Sequence, residues 1–276
     1  MALSAFDIFT IGIGPSSSHA VGPMRAAGRF LRSLERAGVV ERTARVRVEL
    51  FGSLGATGKG HGSDLAILMG LEGEAPETVD TDTVAARAEA IHETGSLSLG
   101  GRHAVKFRYR SSLVFNRRKT LPGHPNGMRF TAYDPDGHEV LSRIYYSVGG
   151  GFVVDDGAVE RDTLTVDQAE LPHRFSTGEQ LLRLAEQTGK SISRLQLENE
   201  CVWRPEADVR KSLGHLWATM KACIDRGCAR EGVLPGGLRV QRRAHALYRK
   251  LKTTGAPGND ALAALDWVNL WALAVN

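Results

Sequence analysis

The hydrophobic period of this chain changes character once. Up to about residue 157 helical and alternating apolar patterns follow one another, and from Ser176 onward every periodic segment repeats at helical spacing. Between the two, Asp155 to Pro172 is polar and aperiodic, as a linker is. Such patterning predicts an α+β domain over residues 1–157, a linker at 158–175 and an all-α segment over 176–276. With 276 residues, the chain is long enough for two modest cores.

In the first part, Gly14-Pro15-Ser16-Ser17-Ser18-His19 runs into Val21, Met24, Ala27, Leu31 and Leu34, which predicts a helix start crowded with hydroxyls. Either one serine caps the helix and the others are solvated, or the free amides and hydroxyls receive an anion, a carboxylate being the simplest. Ala44 to Leu50 alternates as a half-buried strand and enters a glycine-dense loop, Gly52 to Asp64, after which Ser63 caps a helix through Leu71. This is not a nucleotide loop, because Gly58 has no glycine five positions earlier and Lys59 is followed by Gly60 rather than a hydroxyl residue. A helix at Thr83–Glu93 and strands at Ala104–Phe115, Gly127–Tyr133 and Glu139–Val148 follow, with Gly149 to Gly151 as a β-bulge or a tight connection.

The second part is helical. Ser176 and Glu179 make a capping box, Pro205 opens a long helix carrying Val209, Leu213, Leu216, Trp217, Met220 and Ile224, and a basic helix carries Val240, Ala244, Leu247, Tyr248 and Leu251. The last segment, Asp260 to Val275, is apolar nearly all round, so it is expected to be centrally buried. The chain stops there without a cap, which reads as a larger domain cut short and covered by missing sequence or by a partner.

Three cysteines, Cys201, Cys223 and Cys228, make a poor disulfide framework. Cys223 and Cys228 point about 140° apart on a helix and make a poor metal pair. A net charge of +4 without a nucleic-acid-binding motif argues against a nucleic-acid partner. No segment has the length and apolarity of a membrane span, and the expected compartment is the cytoplasm.

Several long motifs then carry a resemblance over essentially the whole chain. Phe6 to His19 followed by Gly22-Pro23-Met24-Arg25-Ala26, Gly52 to Asp64, His124 to Met128, Tyr145 to Phe152, Leu234 to Leu238 with Arg242-Arg243-Ala244, and Asp266 to Leu270 resemble bacterial iron-sulfur L-serine dehydratases. The resemblance implies a first domain like the allosteric substrate-binding domain of some phosphoglycerate dehydrogenases, then a helical catalytic domain with a [4Fe-4S] cluster. It also implies serine catabolism upstream of gluconeogenesis: water leaves L-serine, and the product hydrolyses to pyruvate and ammonia. The cluster cysteines of the family lie beyond Asn276, so this chain alone is expected to bind no cluster and to be inactive.

Under this resemblance His61 is the base and His19 orients substrate or transfers a second proton. Ser16, Ser17 and Ser18 hold the carboxylate, and Lys59, Ser63, Asp64, His124 and Asn126 are supporting contacts. His124 and Asn126 either shape a turn or form a lid. A pyridoxal-phosphate enzyme using Lys59 would give the same net reaction, but the resemblance argues against it. The alternative function is a serine-binding regulatory subunit that completes a separate catalytic chain. The complete protein is expected to be a homodimer.

Overall fold

The computed structural model describes residues 4–156, 169–234, 239–254 and 261–275, and the chain divides into two units. One comprises Gly12–Asp162 and Glu231–Arg242; the other comprises Met1–Ile11, Thr163–Arg230 and Arg243–Val275. The first eleven residues thus belong with the helical unit. Most of the expected linker, 158–168, lies outside the described residues, as does 235–238 of the Leu234 to Leu238 motif.

In the mixed unit a π-helical turn, Ser17–Val21, leads into α2 (Gly22–Arg36). β1 (Arg45–Phe51) follows, then α3 (Gly52–Thr57), a 3-10 turn at Gly58–His61, α4 (Ser63–Leu71) and α5 (Val84–Thr94). After β2 (Ser96–Leu99) and β3 (His103–Lys106), a helical turn α6 (Tyr109–Ser112) precedes β4 (Leu113–Asn116), β5 (Gly127–Tyr133), β6 (Glu139–Gly149) and β7 (Phe152–Asp155). The sheet order is β2-β3-β1-β5-β6-β7, with β4 also pairing β1. β3 and β4 both run parallel to β1, pairing Arg45 with Lys106 and Val48 with Leu113, so they occupy successive stretches of one flank.

The core follows the alternation. Val46, Val48, Leu50 and Phe130 are buried in one cluster with Met24, Phe30 and Leu34 of α2 and Ile67 and Leu68 of α4, and Phe30 stacks on Phe130 at 5.4 Å. Close approach of α2 and α4 depends on Gly70, where a Cβ would lie 2.3 Å from the Met24 carbonyl oxygen.

Three local readings are corrected. The glycine-dense stretch is helical, because Leu54 and Gly55 are buried and small residues let α3 pack against β4. Gly62, left-handed at φ +75°, separates it from α4. Ser63 is the first residue of α4 rather than its cap, and its hydroxyl is spent elsewhere. The strand expected over 104–115 is interrupted by α6, a break that continuous alternation of Val105, Phe107 and Tyr109 does not signal. Gly149 to Gly151 combine both expected features: a register shift at Ser147/Gly149 and a tight connection with all three φ positive.

The helical unit holds α1 (Ala5–Ile8), α7 (Gly178–Thr188), α8 (Ile192–Glu200), α9 (Glu206–Ala229), α10 (Ala244–Thr254) and α11 (Ala261–Ala274). Glu200, almost fully buried, accepts from the Ser4 hydroxyl at 2.6 Å, the Ala5 amide at 2.7 Å and the Gln196 amide at 2.9 Å, tying α1 to α8. The cap of α7 is Thr177 rather than Ser176: its hydroxyl accepts from the Gln180 amide, and the Gln180 side chain accepts from Ser176 N–H. The last helix is not centrally buried within this chain. Leu270 and Ala274 pack with Cys228, Ala244 and Leu251, whereas Leu262 is 75% and Trp271 47% exposed, beside Trp217 of α9 at 64%.

Candidate active site

The π-helical turn before α2 and the 3-10 turn after α3 bring two histidines together. The rings of His19 and His61 lie 4.9 Å apart, both in the mixed unit. His19 is bracketed by hydroxyls: Nδ1 lies 2.9 Å from Ser18 Oγ and 3.4 Å from Ser16 Oγ, and Nε2 lies 3.1 Å from Ser53 Oγ. Its main chain is anchored too, since the Ser63 hydroxyl donates to the His19 carbonyl oxygen. No serine side chain caps the helix. Ser16 precedes the π-helical turn, its carbonyl accepts from the amides of His19 and Ala20, and its hydroxyl lies 3.3 Å from that of Ser18; Ser17 is exposed.

Partners fix which nitrogen is basic. His61 Nδ1 lies 3.0 Å from the Thr57 carbonyl oxygen, which only accepts, so Nδ1 carries the proton and the neutral ring presents its lone pair at Nε2. His124 is the reverse. Its Nδ1 accepts from the Asn126 amide at 3.1 Å, so Nε2 is its N–H donor. The His19 pKa is lowered, first by burial and then by the charge of His61, while a bond to the Ser53 backbone opposes the shift. His19 therefore favours the neutral imidazole form.

The remaining candidates divide into two groups. Asp64 is buried and accepts from the Tyr109 hydroxyl, and Lys59 Nζ lies 5.8 Å from the Tyr109 ring centre. Burial, then the Asp64 carboxylate, raises the Tyr109 pKa strongly, so the phenol stays protonated and donating. His124 and Asn126 shape the turn that packs on α3: the Pro125 carbonyl between them accepts from Ser53 N–H at 2.9 Å. The Asn126 side chain donates to the Ser147 carbonyl at 3.1 Å, and its buried Oδ1 has no hydrogen-bond partner among the described residues. Sequence reasoning missed Ser53 and Tyr109. Ser53 had a signal, as the second residue after a strand exit; Tyr109 had none, because its position depends on the break between β3 and β4.

The thiols do not fit an iron-sulfur cluster, which takes converging cysteine thiolates. Cys201 and Cys223 are exposed, the Cys223 thiol facing the Val275 carbonyl at 3.8 Å. Cys228 is buried, and burial raises its pKa, keeping it a thiol. Among the described residues, the metal-capable side chains that converge are Asp134, Asp136 and His138, in the turn between β5 and β6. Two carboxylates and an imidazole are not a cluster's donor set, and Asp134 already accepts from His138 N–H at 2.8 Å.

Comparison with known proteins places this geometry. The model of the serine dehydratase beta chain matches residues 4–158, and that of the serine dehydratase alpha chain matches residues 187–276. The chain is 54% identical over 276 residues to an L-serine dehydratase of Streptomyces coelicolor, covering all of this chain and 60% of that protein. It is 44% identical over 275 residues to L-serine dehydratase 1 of Escherichia coli, covering 99% and 60%. To an L-serine dehydratase of Mycobacterium tuberculosis it is 45% identical over 276 residues, covering 100% and 59%. It thus spans about 60% of the length of the curated relatives it matches. With a beta-chain match over the sheet-bearing unit and an alpha-chain match over the helices, this chain belongs to the serine dehydratase family.

Proposed function

We propose that this chain supplies the serine-holding part of a cytoplasmic L-serine ammonia-lyase, which eliminates water from L-serine and releases pyruvate and ammonia. The observation that carries the reading is the His19–His61 pair, with a lone pair directed by the Thr57 carbonyl to His61 Nε2 and hydroxyls on both nitrogens of His19. His61 Nε2 takes the α-proton, and His19 orients substrate or moves the second proton. Ser16, Ser17 and Ser18 receive the carboxylate, supported by Lys59, Ser63 and Asp64. Asn126 Oδ1, a buried acceptor without a donor among the described residues, suits the ammonium group, and His124 supports substrate from the same turn.

The family resemblance implies a [4Fe-4S] cluster as Lewis acid for the departing hydroxyl. The thiols of this chain do not fit one, so its ligands come from further sequence or from a separate catalytic chain, and this chain alone is inactive. The proposed division is a substrate-binding-like domain at 1–157, a linker at 158–175 and the opening helices of the catalytic domain at 176–276, in a protein that is a homodimer when complete.

The test uses the protein at the full length of its relatives. His61→Ala should abolish pyruvate formation from L-serine while preserving the cluster absorbance. Near-normal turnover would remove His61 as base and favour the alternative, a serine-binding regulatory subunit.

A further inference from the structure

Ser53 is more constrained than its place in a glycine-rich stretch suggests. Its amide donates to the Pro125 carbonyl at 2.9 Å, and its carbonyl accepts from the Thr57 hydroxyl at 2.9 Å. Gly52 before it is left-handed at φ +56°, and a Cβ there would lie 2.1 Å from the Pro125 carbonyl oxygen, so the strand exit that delivers Ser53 requires glycine. Among the described residues the side chain's polar contact is the 3.1 Å approach to His19 Nε2. Ser18 Oγ lies 2.9 Å from Nδ1, so the two hydroxyls hold the ring from both sides.

We propose that Ser53 is a positioning residue for His19: its hydroxyl accepts the Nε2–H, holds the ring in place and leaves Nδ1 as the proton-accepting nitrogen on the Ser16–Ser18 side. This rests on the serine-site reading above and deepens it, since it states which atom of His19 faces the substrate.

The experiment pairs histidine 15N spectra of this chain with kinetics of the full-length enzyme. In the unaltered chain above the His19 titration, Nε2 should show a protonated-type shift and Nδ1 an unprotonated one. In Ser53→Ala both should move toward an averaged value, and Ser53→Thr should restore the original pattern. Alanine is favoured in helices, and a preserved amide spectrum checks the fold. In the enzyme, Ser53→Ala should lower kcat about tenfold to a hundredfold with KM within about threefold. Ser53→Thr should recover most of the loss. Unchanged His19 shifts in Ser53→Ala beside an inactive His19→Ala enzyme would overturn the role of Ser53 alone. Full turnover by His19→Ala would overturn the serine-site reading and the Ser53 role together.

Discussion

Burial and the charge of His61 both disfavour protonation of His19, so its folded-state pKa lies below the ordinary 6.5. Between the folded and unfolded values the unfolded chain binds more protons, so this contribution to stability is complete above 6.5 and lost as pH falls through the folded pKa. An NMR titration of the His19 ring should give a midpoint below 6.5, and His61→Ala should raise it part of the way back, since burial remains. Tyr109 is the second residue whose role is specific. Tyr109→Phe leaves the buried Asp64 carboxylate without that donor and should cost about 1–3 kcal/mol in urea unfolding. At this scale the sequence named candidate side chains but not their partners. The serines looked like a helix cap, yet their hydroxyls turn to one another and to His19, a choice made by the π-helical turn.

Most elements were legible where apolar residues keep one period, as in α2, β1, α5, β5 and β6. The short strands β2 and β7 and the turn α6 were not, because four residues carry too little periodicity to register. Glycine was the second source of error. Between Gly52 and Gly62 it serves close packing as often as turning, and composition does not separate the two uses. Gly70 tests the packing use: Gly70→Ala places a methyl against the Met24 backbone and should destabilise the mixed unit by about 1–3 kcal/mol in urea unfolding, with no loss at an exposed glycine of ordinary φ and open surroundings such as Gly214.

For the molecule as a whole, the change of period near residue 157 anticipated a sheet-bearing region followed by helices, but not that Met1–Ile11 joins the helical unit through Glu200. The helical unit exposes Leu213, Trp217 and Met220 of α9 and Leu262, Leu265, Val268 and Trp271 of α11. A surface of this kind binds hydrophobic dyes and promotes association, so Leu262→Glu with Trp271→Gln should reduce dye binding and self-association by light scattering. Anaerobic incubation of this chain with iron and sulfide should yield neither cluster absorbance nor pyruvate, because its thiols do not converge.

The central claim, that L-serine is held at the His19–His61 pair, has a direct test in the histidine spectra of this chain during titration with L-serine. Saturable shifts of the His19 and His61 ring signals, absent in Ser16→Ala/Ser18→Ala, are the predicted result. Rings that stay unmoved through saturating L-serine, or shifts confined to histidines of the helical unit, would contradict it.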